Sequence, residues 1–232
     1  LVLAALIVRP VAFKYRSKHA EPGWRARWDW ALFAGGLVPA LVFGVAVGNV
    51  LQGAPFRLDG DLRTFYEGSL LGLFSPFALR AGLLSIAMLV LHGAGWLAVR
   101  VEEGPVLVRA RRFGTIAAIG SVVLFALGGL WVAVGDIGFR VTGAVDTAGP
   151  SNPHYALATA AAGAWLDNYA RHPWMMLAPV LGLAGPLVAL AGIRKRSHVL
   201  NFVGSSLATV GIIATVGLSM FPFILPSSID PA

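Results

Sequence analysis

Apolar residues are concentrated in five long runs, and most polar residues lie between the runs. The runs cover residues 29–51, 76–99, 114–135, 173–193 and 199–221. A helix needs about 20 residues to cross the hydrocarbon core of a bilayer, at about 1.5 Å per residue, and every run is that long. Backbone N–H and C=O groups in hydrocarbon must form hydrogen bonds within the protein, and helices of this length do so. The strands of a transmembrane β-barrel would be only about half as long. The pattern therefore predicts an all-α, polytopic transmembrane helix bundle.

A shorter apolar run covers residues 1–8 and is followed by Arg9 and Pro10. It is too short to cross a bilayer, so it predicts a partial first helix that ends at this point. A signal peptide would have small residues at a cleavage site after the apolar run, and these two residues do not match that pattern. We expect five complete helices plus the partial one, in a single transmembrane domain over residues 1–232 that is a fragment of a longer subunit.

The composition agrees with a membrane protein and excludes several kinds of chemistry. Hydrophobic residues make up 57% of the chain, charged residues only 12%, and the mean hydropathy is +0.75. A soluble domain has about 25% charged residues, so a water-soluble globular protein is excluded. The chain has no cysteine, which excludes disulfides, thiolate metal sites, iron–sulfur clusters and cysteine nucleophiles within it.

The net charge of +7 is distributed in a way that predicts the membrane topology. Thirteen of the eighteen basic residues lie in alternate loops: Arg9, Lys14, Arg16, Lys18, Arg25 and Arg27, then Arg100, Arg109, Arg111 and Arg112, then Arg194, Lys195 and Arg196. Cytoplasmic loops carry such an excess, so loops 52–75 and 136–172 and the tail from residue 222 are predicted to lie outside. The membrane topology accounts for the net positive charge, so the charge is not a reason to expect nucleic-acid binding.

Tryptophan, glycine and alanine patterns predict further local features. Tryptophans near the ends of the runs predict two interfacial belts, one with Trp24, Trp28 and Trp30 and the other with Trp165 and Trp174. Gly44 and Gly48 are four residues apart and predict a close helix contact. The Ala-rich pattern over residues 155–169 predicts a short interfacial helix in the longest loop.

Few polar residues lie within or at the ends of the runs. Asp29 is at a predicted helix start, where capping is favoured over proton relay. Arg80 is about one turn inside the outer boundary, and its side chain is expected to extend to the headgroups. For Arg9, anchoring is favoured over a side chain that points back into the protein. Asn49 and Gln52 at the outer end of their segment are interpreted as helix-end hydrogen bonders rather than as a substrate site.

A redox centre or metal site held by this chain alone is not predicted. His92 is the only histidine inside a run, and Met88 lies on the same helix face, four residues away. One face cannot supply both axial ligands of a haem, so His92 is interpreted as a packed histidine. No pair of histidines or carboxylates falls three or four residues apart within a run, so no metal ligand or catalytic residue is assigned.

Short motifs along the chain carry a resemblance to a known family. They are RPVAFKYRSK at 9–18, WDW at 28–30, GNVLQGAPF at 48–56, SNP at 151–153, AGAWL at 162–166 and MFPFILPSS at 220–228. In this order they resemble subunit II of the cytochrome bd-type quinol oxidases. That subunit normally has eight helices, so this chain would lack the first two, most of the third and the last. Lys14 departs from the acidic residue associated with some relatives, which weakens any proton role there.

The resemblance implies a respiratory, electron-transporting heterodimer in the bacterial cytoplasmic (inner) membrane that oxidises quinol and reduces dioxygen to water. Haem b and haem d are expected in the partner, subunit I, and a structural quinone, a small accessory subunit and membrane lipid are further expected contacts. Subunit II would support the haem region and help to form oxygen or proton routes. Arg9 is expected near such a route, and Asn49 and Gln52 near the outer subunit interface.

Two other functions remain as alternatives at this point. A small-solute transporter subunit would need a polar or broken-helix site near the bilayer midplane. Pro39 and Pro186 could kink their helices, but no charged residue accompanies them. A pure scaffold without a part in oxygen or proton movement is the other alternative.

Overall fold

The computed structural model describes residues 2–143, 149 and 157–230. In that part of the chain the α-helices are α1 (Val2–Arg16), α2 (Pro22–Gln52), α3 (Pro76–Arg100), α4 (Pro105–Val134), α5 (Asp167–Arg171), α6 (Leu177–Arg194) and α7 (His198–Met220). Two short antiparallel pairs join β1 (Phe56–Leu58) to β2 (Thr64–Tyr66) and β3 (Phe139–Val141) to β4 (Ala158–Ala160). Single 3₁₀ turns cover Leu71–Leu73, Ala164–Leu166 and Pro173–Met176.

Within the part of the chain that the structure describes, five helical segments are long and apolar enough to cross a membrane: α2, α3, α4, Pro173–Arg194 and α7. They coincide with the five runs, so the prediction of an all-α polytopic bundle is confirmed. Two of the helices begin earlier than their runs, at Pro22 and Pro105. Proline is favourable in a first helical turn, and the basic residues that follow it continue the helix without contributing to the apolar pattern.

Helix α1 corrects the prediction that the first helix ends at Arg9 and Pro10. It continues through Pro10 to Arg16. Proline removes one backbone hydrogen bond, but packing against α2 offsets this cost. Ala12, two residues after the proline, is fully buried, and a Cβ atom at Gly35 of α2 would lie 2.9 Å from the carbonyl oxygen of Ala5. The close helix contact therefore keeps α1 helical beyond the proline.

The helices pack closely where glycine faces a neighbouring backbone. A Cβ atom at Gly44 would lie 2.6 Å from Cβ of Ser85, and one at Gly48 would lie 2.6 Å from Cα of Ala78. The predicted glycine contact is therefore confirmed, and it joins α2 to α3. Helices α6 and α7 approach each other in the same way, since a Cβ atom at Gly185 would lie 2.6 Å from Cα of Ala208.

Loops meet at two ends of the bundle, which we call the inner and outer ends. The inner end has the short loops 17–21, 101–104 and 195–197, and the outer end has loops 53–75 and 135–172 and the chain after Met220. At the outer end a buried cluster joins the ends of α2, α3 and α7 to the loops; its members are Leu51, Phe77, Ile137, Phe139, Trp165 and Met220. The alternation of loops expected from the charges is present, and the cytoplasmic position of the inner end remains a prediction.

The loop of residues 135–172 differs from the predicted interfacial helix over 155–169. Residues 155 and 156 lie outside the described residues, and Ala158–Ala160 forms a strand that pairs with Phe139–Val141. Gly163 has a φ of +68°, which ends any regular element there. Among the described residues of this loop, only Asp167–Arg171 is α-helical. The helix prediction is wrong over 158–163, because residues 158–160 pair with a second strand, and this pairing overrides the helix propensity of alanine.

Candidate functional site

A polar pocket lies at the outer end, between the end of α2 and the loop that leads to α3. Its volume is about 310 Å³, and Asn49, Gln52, Tyr66, Ser69 and Ser75 contribute to its lining. These side chains offer amide and hydroxyl groups, which donate and accept hydrogen bonds. The pocket can therefore bind a neutral polar group or the polar surface of another protein.

Asn49 and Gln52 have defined partners in this pocket. The Nδ2 atom of Asn49 donates to the carbonyl oxygens of Val45 at 2.8 Å and Leu73 at 2.7 Å. The Oε1 atom of Gln52 accepts from the hydroxyl of Ser75 at 2.5 Å. The interpretation of both residues as helix-end hydrogen bonders is confirmed, because their bonds join α2 to the following loop and to the start of α3.

Arg9 lies far from that pocket. A Cβ atom at Gly35 would be 2.7 Å from Cγ of Arg9, so the side chain crosses α2 at this glycine. Gly35 is 17 residues before the end of α2 at Gln52, which is about 25 Å at 1.5 Å per residue. Arg9 is exposed and makes no hydrogen bond or ion pair with the described residues. The three predicted site residues therefore lie at two separate positions: Asn49 and Gln52 line the outer pocket, and Arg9 lies at the middle of α2.

Arg80 does not extend to the outer headgroups, which corrects the expectation for it. Its Nη1 atom donates to the carbonyl oxygen of Leu124 in α4 at 2.5 Å. Its guanidinium lies over the ring of Phe77, with the Cζ atom 4.7 Å from the ring centre. No pattern in the sequence predicts this direction, because the space that the guanidinium occupies is provided by Gly128 on another helix.

Asp29 is not a helix cap, because α2 begins seven residues earlier at Pro22. Its carboxylate accepts from Arg16, with the Nη2 and Oδ2 atoms 3.2 Å apart. The side chain of Trp28 stacks on Tyr15, with ring centres 5.5 Å apart. Asp29 therefore ties the end of α1 to α2.

His92 is a half-buried histidine that packs between α3 and α7. The Nδ1 atom lies 3.2 Å from the hydroxyl of Ser205, and the ring packs against Phe202 with centres 5.3 Å apart. Met88 packs with Leu84 and Ile212 in a separate apolar cluster. These contacts confirm a packed histidine. Among the described residues no group of three histidine or carboxylate side chains could hold a metal ion.

Sequence reasoning missed a polar cluster that closes the outer end, formed by residues 165–169. Trp165 is 1% exposed and is not part of an interfacial belt. Its Nε1 atom donates to the carbonyl oxygen of Leu51 at 3.0 Å. The Nδ2 atom of Asn168 donates to the carbonyl oxygens of Leu218 at 2.9 Å and Phe221 at 2.6 Å. Carbonyls at helix ends have no partner within the helix, so these bonds satisfy the ends of α2 and α7.

An ion pair fixes the β3–β4 hairpin to α5. The Nε atom of Arg140 lies 2.6 Å from Oδ2 of Asp167, and a second bond of 2.9 Å joins Nη2 to Oδ1. The hydrogen bonds from Arg140 lower the pKa of Asp167 below its ordinary value, and burial opposes this shift. A bidentate pair of this kind orients the hairpin over the outer end.

The lowered pKa of Asp167 predicts how this hairpin responds to acid. The ion pair stabilises the fold fully above the ordinary carboxyl pKa of about 4, and its contribution is lost as the pH falls from there through the lowered value. Hydrogen exchange of residues 139–141 and 158–160, corrected for intrinsic rates, is expected to be constant from pH 8 to 5 and faster below about pH 4. The variant Arg140→Gln should exchange faster at neutral pH and lose most of the acid response. An unchanged acid response in that variant would contradict the assignment.

The fold defines a class of protein, a multi-pass helical membrane protein, and the comparisons define the family. The chain matches the family model for cytochrome bd terminal oxidase subunit II over residues 1–231. It therefore belongs to the cytochrome bd terminal oxidase subunit II family, and the resemblance carried by the motifs is confirmed. With its five candidate spans, this family places the chain in the bacterial inner membrane.

Curated relatives from Haemophilus influenzae and Escherichia coli match along almost the whole chain. It is 43% identical over 231 residues to the probable cytochrome oxidase subunit 2 of Haemophilus influenzae, which covers 100% of this chain and 61% of the relative. It is 44% identical over 228 residues to the cytochrome bd-I ubiquinol oxidase subunit 2 of Escherichia coli K12, covering 98% and 60%. The cytochrome bd ubiquinol oxidase subunit 2 of Bacillus subtilis is 29% identical over 112 residues, covering 48% and 32%. The chain spans about 60% of the length of the first two relatives.

Proposed function

We propose that this chain is part of subunit II of a bd-type terminal oxidase in an aerobic respiratory chain. The complex oxidises two quinols to two quinones and transfers the four electrons to dioxygen, which is reduced to two waters. Protons are released and taken up on opposite faces of the membrane. The observation that carries this proposal is the 43–44% identity to oxidase subunits along essentially the whole chain. A small-solute transporter is not favoured by these relatives.

The proposal assigns haem b and haem d to the partner, subunit I. The placement of Met88 and His92 on one face of α3 supports this assignment, because one helix face cannot supply both axial ligands of a haem. This chain then contributes packing for the haem-bearing subunit and part of the oxygen or proton routes. A structural quinone, a small accessory subunit and membrane lipid belong to the same proposal.

A spectrum of the intact complex tests this function. The full-length subunit is tagged, purified from bacterial membranes in mild detergent with its bound partners, and examined by reduced-minus-oxidised absorption. We expect bands of haem b and haem d together with a larger co-purifying subunit and quinol-dependent oxygen consumption. A folded protein without haem and without a partner would contradict the proposal and revive the transporter alternative.

Arg9 is proposed to lie beside an oxygen or proton route. Its support is its position, since the aliphatic part of this exposed side chain lies against Gly35 in the middle part of α2, and its charge has no ion-pair partner among the described residues. Charged groups at such positions in a membrane protein usually face a cavity or a partner rather than lipid. Asn49 and Gln52 are proposed to lie at the outer subunit interface, and the polar pocket that they line supports this role.

Two single variants separate these roles from a pure scaffold. We expect Arg9→Ala to lower oxygen consumption several-fold while haem content and partner recovery stay normal, because the route loses a charge and the exposed side chain makes no hydrogen bond or ion pair with the described residues. We expect Asn49→Leu to lower partner recovery, because it removes two hydrogen bonds at the outer end. Wild-type turnover and assembly in Arg9→Ala would show that Arg9 has no functional role. The control is Arg63→Ala, in an exposed outer loop.

A further inference from the structure

Arg80 is a charged residue inside a helix that crosses the membrane. It lies four residues after the start of α3 at Pro76, which is about 6 Å from the outer end of the helix. Charged residues are rare in such segments, and those that occur pair with another group or mark a functional site. The surroundings of Arg80 show which of its groups are already bound.

The Arg80 side chain turns away from the outer membrane surface. Its Nη1 atom binds the carbonyl oxygen of Leu124, ten residues before the end of α4 at Val134, which is about 15 Å from the outer end. The position is built into the helix pair, because a Cβ atom at Gly128 would overlap the guanidinium. The ring of Phe77 covers another face of the same group.

No carboxylate of the described residues neutralises Arg80. The ion pairs of that part of the chain involve other arginines, and the Nε atom of Arg80 is buried without a hydrogen-bond partner. The carbonyl of Leu124 and the ring of Phe77 offset part of the free energy that it costs to remove the guanidinium from water. Neither group is an anion, so the positive charge is not neutralised. A complementary anion at this depth would remove the remaining cost.

The position of the guanidinium determines what kind of anion can reach it. A lipid phosphate lies at the headgroup level, and an arginine that bound one would extend toward the start of α3. The neighbouring surface is apolar, with Leu79, Leu83 and Leu127 exposed, and suits contact with another transmembrane helix. We propose that Arg80 pairs with an aspartate or glutamate on a transmembrane helix of subunit I. This inference rests on the proposed function, because it requires that partner.

Site-specific cross-linking tests whether the partner helix is there. Leu83 is one turn from Arg80 and 52% exposed, and the chain has no cysteine of its own. The variant Leu83→Cys, in the intact complex and with any other accessible cysteine replaced, is labelled with a photoactivatable benzophenone. We expect a cross-link to a subunit I peptide that contains aspartate or glutamate. A cross-link to lipid alone, or to a partner segment without a carboxylate, would overturn the proposal. The control is Val180→Cys on α6, which should not label that peptide.

A double-mutant cycle tests the ion pair itself. Arg80→Leu and neutralisation of the identified carboxylate to its amide should each speed loss of subunit I from the tagged complex about 30-fold, because each leaves one buried charge unpaired. The double variant should lose the partner no faster than either single variant. If Arg80 only stabilised the contact between α3 and α4, the carboxylate variant would behave as wild type, and this would overturn the proposal.

The same measurements keep the two proposals apart. A wild-type preparation without a haem-bearing partner would contradict the proposed function. A wild-type preparation that retains the partner, with unchanged retention in Arg80→Leu, would contradict only the role of Arg80. The matched control Arg63→Leu changes an exposed arginine of the outer loop and should retain the partner as wild type does.

Discussion

Replacing Gly204 by valine is expected to separate α6 from α7 and to prevent the subunit from accumulating in folded form. A Cβ atom at Gly204 would lie 2.8 Å from Cα of Ala189 and 2.9 Å from the carbonyl oxygen of Gly185. Both obstacles are backbone atoms, so no side-chain rotation can relieve the overlap. The helices would have to move apart along the whole contact.

The cost of this change is large because helix association in a membrane depends on close packing rather than on exclusion of water. Gly192 and Gly211 line the same contact, and Cβ atoms there would also overlap the facing backbone. Forcing extra atoms into such a contact costs about 3 kcal/mol. We expect a strongly lowered yield from membranes and a much lower melting temperature in detergent.

Gly217→Val is the matched control for this prediction. Gly217 lies on the same helix, but a Cβ atom there would have nothing within 4 Å. This variant should therefore purify and melt as wild type does. Equal melting temperatures for the two valine variants would show that the close contact is not needed for stability.

The second large effect is expected for Trp165→Ala. The indole is 1% exposed and lies between Phe139 and Phe223, with ring centres 5.9 Å and 5.6 Å away. Removing a buried tryptophan side chain costs about 3–5 kcal/mol, and this change also leaves the carbonyl oxygen of Leu51 without its donor. We expect a lower melting temperature and faster hydrogen exchange in residues 137–141 and 221–228.

Two further variants separate the causes of that effect. Trp165→Phe keeps an aromatic ring but removes the hydrogen bond to Leu51, so it should show a smaller loss than Trp165→Ala. Trp174→Ala changes a side chain that is 66% exposed and should leave the outer end unchanged. If exchange at the outer end rose equally in Trp174→Ala and Trp165→Ala, the central role of Trp165 would be wrong.

The five membrane-spanning helices could be predicted from the sequence, because each is marked by a long stretch of mostly apolar residues that are neighbours in the chain. Residues 76–99 are mostly apolar, with Arg80 as the one residue among them that is always charged, and α3 occupies nearly the same residues. Helix ends were predicted less well, since Pro22 and Pro105 start helices within basic segments that carry no apolar pattern. The Arg9–Pro10 pair predicts a helix end, but α1 continues to Arg16, where contact with α2 supports it. Such contacts between helices cannot be derived from one segment alone.

The polar residues show the same limit. Asn49 and Gln52 were interpreted correctly as helix-end hydrogen bonders, because position in the helix largely decides what such amides do. The direction of Arg80 depends on Gly128, 48 residues later, and the burial of Trp165 depends on Leu51, 114 residues earlier. Interactions over such distances leave no local pattern in the sequence.

The cluster of residues 165–169 has a consequence for the order of events during synthesis. Asn168 and Tyr169 bind atoms of Leu218, Ser219 and Phe221, which are about 50 residues further along the chain. A ribosome therefore delivers the donors long before their acceptors, and the outer end cannot close until α7 has been inserted into the membrane. Until then these polar side chains can be bound by an insertion factor or recognised by a protease. Closure of the outer end therefore indicates that α7, the last described span, has been inserted.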